Sequence, residues 1–157
     1  MERCVGFVIV GEVLTVVDVE TPDCLDEPLT IVADDTWKLQ AGERAEAYTV
    51  LHQRCADYLR ENGVGSVVVK ASALPTNGPP KLSLLTSAEL RGVVIAAAAS
   101  VCPVKVLSKA AISRTYGERK VDEYLQDDGF WGKQTQGGKL RKTSREAAML
   151  LIAARNR

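Results

Sequence analysis

Histidine occurs once in this chain of 157 residues, at His52, and the four cysteines, Cys4, Cys24, Cys55 and Cys102, are scattered with no CxxC pair. Structural zinc sites need Cys and His ligands clustered at short spacings, so no metal centre of that kind is expected. Net charge is also absent: 20 basic residues balance 20 acidic ones, which argues against strong indiscriminate attraction to nucleic acid. Long apolar runs are missing as well. The most apolar stretch, residues 93–101, reaches about half of the roughly 20 residues a bilayer span requires, and no membrane partner is expected. The apolar opening residues are interrupted by Gly6, Gly11 and Glu12, and no small-residue cleavage site follows them, unlike a secretory leader. The expected setting is the cytoplasm, with reduced thiols.

The composition that remains, 46% hydrophobic and 25% charged, is that of an ordinary globular chain. The length suits one domain over residues 1–157. The charge is unevenly placed: residues 1–61 carry five basic and thirteen acidic side chains, whereas residues 129–157 carry seven basic and one acidic. A basic segment of this kind suits anions, although a solvated basic end packed near an acidic one has the same appearance.

Hydrophobic period gives the element order. Residues 4–10 and 13–19 are β-branched runs separated by Gly11-Glu12, a tight hairpin, and residues 29–33 form a third strand. Residues 43–61 change to helical period, with Ala47, Val50, Leu51, Cys55, Tyr58 and Leu59 on one stripe. Residues 66–71 (SVVVKA) are apolar on both faces, as a covered interior strand requires. The Pro- and Gly-rich residues 72–82 read as a loop at the end of that strand, where open α/β sheets tend to put their sites. Thr86 and Glu89 have capping-box spacing and open a helix to about residue 101. A fifth strand at residues 103–107, a charged helix at 117–128, a flexible basic segment at about 129–143 and a helix at 144–155 complete an α/β order of three strands, helix, strand, helix, strand and helices.

The segments SVVVKAS, LTSAELRGVVIAAAAS, PVKVLS, GERKVDEYL and SREAAMLLIAARN, in that order, resemble the ribonuclease H-like superfamily and within it the RuvC type of Holliday-junction resolvase. The resemblance implies a mixed five-stranded sheet flanked by helices. It also implies a site for two divalent metals, held by acids from the first strand, the central strand and the last helix. One metal activates water and the other stabilises the leaving oxygen, and Mg²⁺ selects carboxylates because it prefers hard oxygen ligands. Here the first-strand position falls at Val8 and the central-strand position at or near Lys70. Only the last helix keeps an acid, Glu146, and Thr143-Ser144-Arg145-Glu146 has capping-box spacing, so that acid can equally serve its own helix.

The leading expectation is therefore a catalytically degenerate ribonuclease H-like domain that acts by binding, with nucleic acid first, no cofactor and no metal. Lys70, Lys133, Lys139, Arg141, Lys142 and Arg145 are the candidate phosphate contacts, and Trp131 is the candidate for stacking on a base. One alternative is a nuclease using displaced acids with Mg²⁺: Asp18 and Glu146 as the catalytic pair, with Glu20 and Asp34-Asp35 as further candidates. The other is a protein-interaction or assembly subunit presenting its acidic half, with pairing of copies through the Ala-rich helix left open. Two further patterns fail. GKQTQGGK (132–139) has its lysine one residue late for a phosphate-binding P-loop and lacks a preceding strand, and His52 with Cys55 on one helix rarely aligns for proton transfer.

Overall fold

The structure is a computed structural model that describes residues 1–75 and 77–156. Thr76, within the expected 72–82 loop, and Arg157, at the end of the expected domain, lie outside the described residues. The first three strands are β1 (Glu2–Val10), β2 (Val13–Thr21) and β3 (Leu29–Lys38), an antiparallel meander. Gly11, at φ +60°, makes the β1–β2 turn that a residue with a Cβ would strain. Helix α1 (Arg44–Glu61) leads to β4 (Ser66–Lys70), which pairs with β1 in parallel, and α2 (Leu82–Ala99) leads to β5 (Val104–Leu107), which pairs with β4 in parallel. The order across the sheet is β5-β4-β1-β2-β3-β6. The apolar run at β4 is accordingly an interior strand, with β1 on one side and β5 on the other.

The sixth strand corrects the expected count of five. It is β6 (Thr135–Gln136), two residues long, paired to Leu29 and Thr30 of β3. It lies inside the segment expected to be flexible. That segment instead folds as helix α5 (Asp128–Gln134), β6, and a 3₁₀ turn at Lys142–Ser144 before α6 (Arg145–Arg155). The reason is aromatic burial. Phe130 and Trp131 pack with Tyr116 and Tyr124 from α3 (Lys109–Thr115) and α4 (Val121–Gln126) and the turn between them. Asp127 caps α5 by accepting a hydrogen bond from the Phe130 amide at 3.1 Å.

Each strand face buries a different helix layer, because successive side chains point to opposite sides. Val5, Phe7 and Ile9 of β1 and Val67 and Val69 of β4 pack toward α1 and α2, while Cys4, Val8 and Val68 pack toward α6. Gly6 lies on the α6 face, where a Cβ would sit 2.8 Å from the Ala147 carbonyl oxygen. The missing side chain is what lets α6 approach β1 closely.

Helix α2 begins four residues earlier than the Thr86–Glu89 spacing suggests. Glu89 does not cap it but pairs with Arg44 and accepts from the Tyr48 hydroxyl, tying α2 to α1. At 18 residues α2 is long and apolar enough to cross a membrane by length and composition alone. In this fold its Leu90, Val94, Ala97 and Ala98 belong to the core between helices and sheet.

Candidate functional site

The carboxyl end of β4 and the first turn of α6 meet on one face of the sheet. Phe7 is paired with Val69 in the parallel β1–β4 ladder, which puts Val8 and Lys70 at adjacent positions of neighbouring strands. Lys70 forms an ion pair with Glu146, both side chains about three-quarters buried. The contact is a charge pairing rather than an aligned hydrogen bond, since Glu146 Oε1 has no hydrogen-bond partner of good geometry. The capping role considered for Glu146 is thereby corrected. Ser144, at the start of α6, makes no side-chain cap, and its hydroxyl donates to Asp34 instead. Lys70, expected as a phosphate contact, is thus held by Glu146.

Asp18 points the other way. It is fully buried on the α1 side of β2, where Arg3 Nε and Nη2 donate to its two oxygens at 2.9 and 2.8 Å and the Tyr58 hydroxyl donates at 2.6 Å. Burial, then the hydrogen bond to Asp18, raises the Tyr58 pKa, so the hydroxyl remains a donor. Asp18, expected as one of a catalytic pair under the nuclease alternative, is thus held in a core ion pair. Asp18 and Glu146, the pair expected under the nuclease alternative, lie on opposite faces of one sheet.

Asp34 is the other acid removed from solvent. Arg141 reaches it with its backbone amide at 3.0 Å and its guanidinium at 2.8 Å, and the Ser144 hydroxyl adds a third donor. Burial acts to raise the carboxyl's pKa, but the hydrogen bonds from Arg141 and Ser144 outweigh it and hold the group below the ordinary aspartate range. A depressed pKa adds stability that is present above the unfolded value, near pH 4, and lost as pH falls through the folded one. The stability gap between wild type and Asp34→Asn, followed by urea denaturation, should therefore shrink between about pH 5 and about pH 2. A gap independent of pH would show that the charge of Asp34 does not hold this segment to β3.

The candidate phosphate contacts separate into two groups. Lys133, Lys139 and Lys142 are exposed and, among the described residues, make no direct ion pair. Arg141 is committed to Asp34, and Arg145 is 3% exposed, donating to the Leu125 carbonyl and to Asp128. Arg145 is therefore a structural bond between α6 and the α4–α5 turn. Trp131 needs the same correction: it is 3% exposed, and its Nε1 donates to the Tyr124 carbonyl at 2.9 Å. Its ring is part of the core and has no free face for a base. The His52–Cys55 pair is likewise unsuited to nucleophilic chemistry, since burial pushes the Cys55 thiol up to about 12.

Two groups were not anticipated from the sequence: the Arg3–Asp18–Tyr58 network and Arg91. Arg91 is the single cation in the apolar run ELRGVVIAAAA, an available signal, and it is 8% exposed beneath the loop after β4.

The sheet order, flanking helices and site position together define a ribonuclease H-like fold of the RuvC arrangement. Thermus thermophilus RuvC superposes with a TM-score of 0.70 at 16% identity, over 96% of this chain and 92% of that one. The same protein in complex with a Holliday junction substrate gives 0.68 at 16% identity, over 96% and 91%. The yeast mitochondrial Holliday junction resolvase gives 0.63 at 11% identity, over 97% of this chain and 78% of that one. No family model matches the chain, and no curated protein matches it by sequence.

The residues present do not fit the metals this fold implies. Val8 offers no donor, Lys70 places a cation at the second position, and Glu146 is already neutralised by it. Among the described residues no three His, Cys, Asp or Glu side chains converge elsewhere.

Proposed function

We propose that this chain is a ribonuclease H-like domain that binds nucleic acid, branched DNA first among candidates, and does not cleave it by two-metal chemistry. The observation that carries the reading is the Lys70–Glu146 ion pair at the position where the fold implies metal. The lysine ammonium fills the electrostatic role of the cation but cannot activate water as a Lewis acid. Binding is favoured over cleavage on that ground. The exposed Lys133, Lys139 and Lys142 supply cations on the segment that leads into α6.

The test is a titration with a four-way junction, a duplex and a single strand at several salt concentrations, with and without Mg²⁺ or Mn²⁺. Binding without cleavage is the expected result. Each phosphate contact contributes about 0.9 to the logarithmic salt slope for duplex DNA, so changing Lys133, Lys139 and Lys142 together to alanine should shallow it by about two to three units. Arg141→Ala should act mainly on stability, since its guanidinium is spent on Asp34. Absence of binding at low salt would remove nucleic acid as the partner.

A protein-interaction role is the second reading, favoured by one observation. Val10, Leu74, Leu82 and Leu85 are all exposed at the β1–β4 end and the start of α2. Monomeric proteins seldom expose several large apolar side chains in one region without use.

A further inference from the structure

Arg91 poses an electrostatic problem that the site described so far does not solve. Its guanidinium is more than nine-tenths buried. Nη1 donates to the Ser72 hydroxyl at 2.5 Å and Nη2 to the Ile9 carbonyl at 3.1 Å, but Nε has no acceptor. No carboxylate pairs with it among the described residues, and burial lowers its pKa with no opposing charge to restore it. Buried charges are ordinarily paired, because taking an ion out of water without a counter-charge costs several kcal/mol.

The side chain lines a cavity of about 190 Å³ at the carboxyl ends of β1 and β4. Lys70, Ser72 and Ser87 line it too, and the remaining walls are apolar side chains and the backbone of the loop after β4. Among the described residues no acidic side chain lines it. Lys70 contributes to this wall from the end of β4, while its ammonium is paired with Glu146 on the α6 side of the sheet. A buried cation thus borders a space that, among the described residues, holds no anion of the chain's own, and the Ser87 hydroxyl is taken up by the Gly11 amide and carbonyl.

We propose that this cavity is a phosphate-binding site, with Arg91 as the ligand and Ser72 as the hydroxyl that orients it. Arginine suits the role, since its planar fork matches phosphate oxygens and it is less strongly hydrated than an ammonium. The phosphate can come from two sources: a diester of a nucleic-acid backbone, in which case the inference rests on the function proposed above, or a free phosphate group. In the first case the domain holds a backbone phosphate at the carboxyl ends of β1 and β4 through a buried arginine.

The experiment measures thermal stability of the full chain with inorganic phosphate against chloride at matched ionic strength, and junction-DNA affinity with and without phosphate as competitor. Wild type, Arg91→Met and Ser72→Ala are compared; Ser72 is exposed and its substitution keeps the test usable if Arg91→Met does not fold. Phosphate should stabilise wild type beyond chloride, compete with DNA, and lose its effect in Arg91→Met, with DNA affinity falling about 10–100-fold, as expected for a lost charge-assisted contact. Ser72→Ala should weaken both in the same direction. Phosphate stabilisation that depends on Arg91, in a protein that binds no DNA, would support the site with a free phosphate and overturn the nucleic-acid function. DNA binding untouched by both substitutions and by phosphate would overturn the site and leave that function standing. Equal phosphate effects in all three proteins would also overturn it.

Discussion

The double variant Val8→Asp/Lys70→Glu is expected to gain a Mn²⁺-dependent rise in melting temperature that wild type lacks. Those two changes put carboxylates at adjacent positions of β1 and β4, facing Glu146 on the first turn of α6. Without metal the variant should be less stable than wild type, because three clustered carboxylates repel and the pairing cation is gone. A ligand bound only by the folded state stabilises it by about 2.7 kcal/mol at a hundred times its Kd. For a chain of this size each kcal/mol moves the melting temperature by about 2–4 °C, so saturating Mn²⁺ should restore roughly 5–10 °C. Adding Glu146→Gln should remove most of that response. A double variant that melts at one temperature with and without Mn²⁺ would show that these three positions do not converge on a metal-sized space.

Asp18→Ala should be the most damaging single substitution of a polar residue. It removes the acceptor for both Arg3 donors and for the Tyr58 hydroxyl at a site with no solvent access. Breaking a buried pair by deleting one partner typically costs about 3–5 kcal/mol, which is about 6–20 °C here. Replacing the pair together, Arg3→Met with Asp18→Leu, should cost much less, because no uncompensated charge is left behind. Calorimetric melting of the three proteins settles the matter. If Asp18→Ala melts within a degree or so of wild type, the network is not what joins α1 to the sheet. The same variant should leave nucleic-acid binding intact, which separates a structural acid from a catalytic one.

Much of this architecture is readable in the chain because strands and helices differ in apolar period. The hairpin around Gly11, the stripe of α1 and the double-sided run VVV of β4 each carry their own signal. The substitutions at Val8 and Lys70 could be read too, once the segments were set against the ribonuclease H-like order. What Lys70 holds could not. Its partner lies on α6, and a local capping pattern competed for Glu146. Local patterns misled at Thr86–Glu89 for the same reason: Glu89 has a stronger partner on α1. The segment around Phe130 and Trp131 looked mobile from its glycines and lysines, yet two aromatic side chains and one Asp127 cap suffice to order it against Tyr116 and Tyr124. Arg91 was visible as an odd cation in an apolar helix, but its burial and lack of a counter-charge are properties of three-dimensional placement.

The close seat of α6 against Gly6 also bears on how the chain is made. Translation delivers all six strands before Arg145–Arg155, yet Ala147 to Ala153 form the centre of the cover on one face of the sheet. Until that helix has left the ribosome, Cys4, Val8, Val17, Val19 and Val68 lack their partner layer. An unfinished chain stopped before Arg145 would present a bare apolar sheet, a surface prone to aggregation and attractive to chaperones and proteases. Closure of this face of the core therefore waits on a single late helix.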